Sequence, residues 1–181
     1  GEPVPFPDGL YVVFNKPCGC TCSHKEEGEL IYDLLPPQWL RRNPCVNTVG
    51  RLDKETSGLL LLTDDGSFEH RLTSPKKHVP KVYRFVTAAP VPVSAVELFA
   101  SGTLMLESEK TPCLPAELEL TGENAGLLTL HEGRYHQVRR MLAAVGAPVT
   151  ELERIAIGTL LLADLHLAPG EWCAIDPHLF D

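Results

Sequence analysis

The chain has no apolar run near the roughly 20 residues that span a bilayer; runs such as LYVVF at 10–14 and LLLL at 59–62 are strand-sized. It has no C-x-x-C pair, no G-x-G-x-x-G, no P-loop and no G-x-S-x-G elbow. Those absences remove a membrane-spanning helix, the usual zinc pairings, and the usual signatures of nucleotide cofactors and serine hydrolysis. Net positive charge is also missing: 16 Lys and Arg against 24 Asp and Glu leave −8 at pH 7. Taken alone, that balance argues against a nucleic-acid partner. The opening GEPVPFPDG (1–9) has neither the basic stretch nor the apolar core of an export signal. It reads as an extension or linker, and the leading Gly and abrupt start fit a trimmed chain with room for a targeting segment or further domain upstream.

What is present is an ordinary globular composition, 181 residues with 44% apolar and 22% charged. That length suits one domain, here 10–181, which buries roughly 70% of the surface its unfolded chain exposes. A chain able to build such a core needs no disulfide framework, although it carries six cysteines. Cys18, Cys20 and Cys22 form a C-x-C-x-C run, but zinc ligands usually stand two to four residues apart with a second pair, and His24 has no matching partner. Reduced thiols in an intracellular protein, with no metal, are the expectation. Basic residues cluster at 41–42, 74–84 and 132–140, either as solvated faces or as a local footprint for an anionic partner.

Strands are expected at 10–17, where Pro17 stops an apolar run, at 57–63, at 81–88 and at 170–175. The LLLL strand reads as buried on both faces, followed by a turn at DDG. Short helices are expected at 29–37, ended by paired prolines, at 67–75, opened by a Ser cap, and at 93–102, closed by Gly102. The segments 115–121 and 126–133 read as an antiparallel hairpin, and 149–162 as one long strand. Without strict alternation of strand and helix, the class is α+β with a mainly antiparallel sheet. The clearest helix is 136–146. There Val138, Met141, Leu142 and Val145 make one apolar stripe, which sets Gln137 and Arg139 on its borders. Arg139 is then placed to reach inward along a wall, while His136 and Arg140 face solvent or a large partner.

The residues with reactive chemistry are Asp53, with Arg51 two positions before it, Tyr83 and Arg139. A carboxylate kept ionised by an arginine suits a nucleophile or a base and not a general acid. A structural ion pair in a loop is the competing reading of Asp53. Asp64 and Asp65 do not match a calcium loop and read as turn residues or helix caps.

Three stretches, GRLDKETSGLLLLTDDG (50–66), KVYRF (81–85) and EGRYHQVRRM (132–141), resemble the motifs of the bacterial pseudouridine synthases of the ribosomal small-subunit type. FNKPCG (14–19), HRLTSP (70–75) and the ending ELERIAIGTLLL…LAPGEW resemble the same family, so the likeness runs over roughly 10–175. It implies a mixed, largely antiparallel sheet with a central cleft flanked by helices and loops. It also implies isomerisation of a uridine to pseudouridine in ribosomal RNA, most of all small-subunit RNA, without a cofactor. The family's catalytic aspartate falls on Asp53, its active-site tyrosine on Tyr83, and its motif arginine on Arg139, as the expected partner of Asp53. The target uridine has to leave its stack, so base flipping is expected. Lys76, Lys77, Arg134 and Arg140 are candidate phosphate contacts, His136 and Gln137 candidate contacts to displaced nucleotides, and Arg51 a loop or RNA contact.

Family members usually carry a small N-terminal RNA-binding domain, and this chain begins after the point where that domain would end. With the overall acidity, this suggests that affinity comes from another domain, from ribosomal or assembly proteins, or from the small-subunit particle. A monomer in a bacterial-type cytosol or an organelle matrix completes the expectation. A non-catalytic assembly protein that keeps the fold, and a carboxylate-dependent glycoside hydrolase, are the rival readings.

Overall fold

The computed structural model describes residues 9–25, 27–74, 76–77 and 79–181. In chain order the first elements are β1 (Tyr11–Lys16), a 3-10 turn (Ile31–Leu34), α1 (Pro37–Leu40), β2 (Asn47–Val49), β3 (Thr56–Thr63) and α2 (Gly66–Thr73). Then follow β4 (Lys81–Thr87), α3 (Ser94–Ser101), β5 (Glu117–Gly122), β6 (Ala125–Leu130), α4 (Gln137–Ala144) and β7 (Val149–Ile157). The chain closes with β8 (Leu160–Leu161), α5 (Leu162–Leu165) and β9 (Trp172–Ala174). Two compact units result, one of residues up to Lys77 with Leu162–Asp181, the other of 78–161. The class is α+β, and neighbouring strands within each unit pair antiparallel. No helix among the described residues is long and apolar enough to cross a membrane.

In the first unit β1 lies between β3 and β9, and β2 also pairs with β3. Both β1 and β3 have continuous, not alternating, apolar centres, because both of their faces are covered: Val12, Val13, Phe14 and Leu59 to Leu62 are all buried. The prolines after the 3-10 turn do more than stop it. Pro37 opens α1, in a position where a missing N–H loses no partner.

The turn after β3 is the joint of this unit. Asp65, not Ser67, caps α2: its Oδ1 accepts from the amides of Ser67 at 2.9 Å and Phe68 at 3.2 Å. Its Oδ2 accepts the Tyr11 hydroxyl at 2.6 Å. Asp64 accepts the Leu10 amide at 2.8 Å and the Arg42 guanidinium at 2.7 Å. Both aspartates are therefore structural, as their turn position predicts. Phe68, buried on α2, meets the Tyr11 ring edge-on at 5.1 Å and ties the helix to β1.

The second unit is a sheet in the order β5, β6, β4, β7, with β8 folded back on the end of β7. Phe85, Phe99, Leu128, Met141 and Leu142, none more than 1% exposed, are at the centre of its core. β6 alternates buried and half-buried residues, so one face meets that core. Gly126 on β6 has no room for a side chain: a Cβ there would lie 2.5 Å from the Glu119 carbonyl oxygen and 2.9 Å from the Phe85 ring. The strand expected over 149–162 is shorter. It stops at Ile157, Gly158 turns with φ +57°, and the chain returns as β8 before entering α5.

Candidate active site

Asp53 is half-buried on the loop between β2 and β3, and its carbonyl accepts the Thr56 amide at 2.9 Å. This loop is fastened from below by the segment that follows β1. Lys16 is fully buried, and its ammonium donates to the carbonyls of Pro17 at 3.0 Å, Lys54 at 3.2 Å and Thr56 at 2.8 Å. An ammonium has three protons, and each here has an acceptor, which is what makes so buried a cation tolerable. Burial pushes its pKa down, against smaller opposing contributions from the neighbouring thiols.

The C-x-C-x-C run belongs to the same fastening. The Gly19 amide donates to the Lys54 carbonyl at 2.8 Å, and the Cys22 thiol donates to the Leu52 carbonyl at 3.3 Å. Cys18 reaches the Glu55 carbonyl at 3.6 Å and its carboxylate at 3.4 Å. Burial pushes the Cys20 thiol pKa up. All six cysteines are free thiols, and Cys18 and Cys22 of the run bind the Asp53 loop directly.

In the second unit Tyr83 lies mid-strand on β4, opposite Leu128 on β6 and Arg154 on β7. The β4–β7 register slips between Val82 and Tyr83, where β7 carries an extra residue. Tyr83 is half-buried, packed on the core. Two positions away, burial first and then the charge of Arg154 push the Lys81 ammonium below its usual range.

The segment before α4 is a closed polar network. Gln137 is 3% exposed; its amide donates to Glu132 Oε1 at 2.9 Å and its oxygen accepts the Arg134 amide at 3.0 Å. Arg134 donates to Glu132 at 3.0 Å and to the carbonyls of Thr111 and Pro112, each at 2.8 Å. Arg140 does not point out to solvent as the helical wheel predicts. It folds back onto Glu109 at 2.9 Å and onto the carbonyls of Glu107 at 2.6 Å and Tyr135 at 3.0 Å. Gln137, expected to meet displaced nucleotides, is likewise turned inward. Arg139 is half-buried beside the buried stripe of Val138, Met141 and Leu142, where the wheel puts it. His136, with φ +48°, stacks at 3.8 Å on Tyr135, which is 75% exposed.

Of the remaining residues singled out in the sequence, Arg51 is exposed on the Asp53 loop, and Lys76 and Lys77 are exposed just beyond α2. Sequence reasoning missed Lys16 and Glu109, and the bracing roles of Cys22 and Glu132. Only Lys16 left a trace, as a lysine closing an apolar strand directly before a proline.

Residues 10–144 match the family of RNA pseudouridylate synthases. This chain belongs to that family. It is 43% identical over 175 residues to the ribosomal small subunit pseudouridine synthase A of Pasteurella multocida, covering 95% of this chain and 73% of that one. The protein of the same name from Escherichia coli K12 is equally similar, 43% over the same shares. A solved pseudouridylate synthase superposes with a TM-score of 0.86 at 41% identity, covering 95% of this chain and 72% of that chain. The α+β class expected from the succession of elements and the pseudouridine synthase fold implied by the motifs are borne out. As an RNA pseudouridylate synthase the chain is an isomerase, which displaces the glycoside hydrolase and non-catalytic readings.

Proposed function

We propose that this chain converts a uridine of small-subunit ribosomal RNA to pseudouridine, with Asp53 as the reactive carboxylate. The observation that carries the reading is the 43% identity, over 95% of the chain, to relatives named for the ribosomal small subunit. In this reading the bond between the sugar and the ring nitrogen breaks, the uracil rotates, and the sugar is rejoined to ring carbon five. Tyr83 stacks on the uracil ring, and Arg139 supplies the counter-charge of Asp53. No cofactor is required, because bonds are exchanged within one nucleotide and no net oxidation occurs.

A carboxylate that must meet one carbon atom needs its backbone held to a fraction of an ångström. The buried Lys16 and the amide of Gly19 both bind the Lys54 carbonyl, next to Asp53, which supports that role. Arg51, Lys76, Lys77 and His136 make up the proposed RNA-facing set, whereas Arg134, Gln137 and Arg140 brace the segment leading into α4. A net charge of −8 favours the assembled small-subunit particle over naked RNA as substrate, since phosphate contacts alone would give weak affinity.

The test is a pseudouridine map of small-subunit RNA, free and in particles, after incubation with wild type and with Asp53→Asn. Wild type is expected to add one modified position that the variant does not. Identical maps would falsify the enzymatic reading.

A further inference from the structure

The first unit contains a pocket of about 570 Å³, within the roughly 300–1,000 Å³ range of small-ligand sites. Its wall includes His24, Tyr32, Asn47, Arg51 and Glu69, none of which the proposed reaction uses on the reacting atoms. The His24 ring lies parallel to the Tyr32 ring, 3.8 Å between centroids and 14° between planes. Tyr32 is the buried floor, 5% exposed, and His24 is the exposed upper layer.

The edge of His24 is also held: Nε2 lies 3.0 Å from Asn47 Oδ1. The other end of the Asn47 amide donates to the Cys45 carbonyl at 3.4 Å. An aromatic ring fixed in its plane before any ligand arrives, with one face open, is a stacking platform for a nucleobase. Glu69, on the first turn of α2, lines the same pocket. A carboxylate only accepts hydrogen bonds, through two oxygens side by side. Among the four bases, guanine alone offers two adjacent donors on one edge, the ring N1–H and the 2-amino group.

We propose that this pocket binds an unpaired guanine of the RNA, its ring on His24 and its N1–H and 2-amino edge on Glu69. Arg51 lines the pocket and stands two residues before Asp53, so the guanine is a close neighbour of the target uridine along the strand. This inference rests on the RNA-modifying reading for the nature of the ligand, but its readout is binding and not turnover.

The test titrates the intact chain with a labelled uridine hexamer carrying one central guanine, and with its inosine and adenine counterparts. Inosine keeps N1–H and lacks the 2-amino group. The guanine hexamer is expected to bind about tenfold tighter than the other two, a difference of about 1.4 kcal/mol. Glu69→Gln should abolish that preference. His24→Ala should weaken the guanine hexamer about tenfold, and His24→Phe, which keeps a stacking ring, should restore it. Equal affinity for the three hexamers, or no loss in His24→Ala, overturns the proposal. A wild type that binds guanine selectively but forms no pseudouridine would sink the enzymatic reading alone.

Discussion

The ammonium of Lys16 donates at 2.8 Å to the carbonyl of Thr56, and through it the last residue of β1 holds the start of β3 and the loop that carries Asp53. Two further carbonyls, of Pro17 and Lys54, share the same ammonium. A single buried cation thus fixes three backbone positions around a proposed reactive group that it does not touch.

Replacing Lys16 by Met keeps the aliphatic stem and removes the ammonium from those three carbonyls, of which that of Lys54 keeps the Gly19 amide. Each unsatisfied buried acceptor costs about 1–3 kcal/mol, part of which relaxation recovers. Lys16→Met is expected to lose about 2–4 kcal/mol in a urea unfolding series, and to lower kcat more than it raises KM. Wild-type kcat in a folded variant would show that the loop is held by other means.

The Tyr11–Asp65 hydrogen bond gives stability a pH signature. It pushes the Tyr11 pKa up to about 12, with burial adding to the effect, and the same bond holds Asp65 below the usual carboxylate range. Native Tyr11 keeps its proton where the unfolded chain has lost it. Stability is therefore full below about pH 10 and falls as pH rises towards about 12. For Asp65 the sign reverses: its contribution is full above about pH 4 and is lost as pH falls through its lowered native value. Urea midpoints followed across both windows should show Tyr11→Phe losing less than wild type at each end.

Gly126→Ala forces a methyl group against the Glu119 carbonyl and the Phe85 ring. Overpacking of this kind costs about 1–3 kcal/mol. Thermal unfolding should show the loss, and replacing Phe85 by Leu in the same chain should return part of it, because one of the two obstructing groups shrinks.

Arginines and lysines in the basic stretches should separate by readout. Arg140→Ala removes bonds to Glu109, Glu107 and Tyr135, so its main effect is expected in thermal unfolding. Lys76→Ala with Lys77→Ala, at exposed positions, should leave unfolding unchanged. The pair should also lower the slope of log affinity for RNA against log salt by about 1.4, at about 0.7 per phosphate contact on a single strand. The reverse pattern would return Arg140 to the RNA-facing set.

Much of the architecture was readable locally. The run at 59–62 could only be a covered strand, Gly102 could only close a helix that needs a left-handed residue, with φ +69°, and the stripe from Val138 to Leu142 placed Arg139 at its border. The end of β7 was not readable, because apolar residues resume at Leu160 directly after Gly158 and Thr159, and only the return of Leu160 and Leu161 onto Ile157 and Ala156 shows where it turns. Arg140 was misplaced for a related reason. A helical wheel knows its own helix and not Glu109, 31 residues earlier, which covers that face.

The division follows the range of the forces. Periodicity, capping and motif order act over a few residues, and they were enough to place the longer strands and helices and the family, and to single out Asp53 as the proposed reactive carboxylate. Burial of a charge is different in kind, since a lysine is tolerated in a core only if acceptors from distant parts of the chain converge on it. That Lys16 and the cysteine run are the seat of the Asp53 loop, and that His24 stacks on Tyr32 in a pocket also lined by Glu69, were decided by tertiary structure alone.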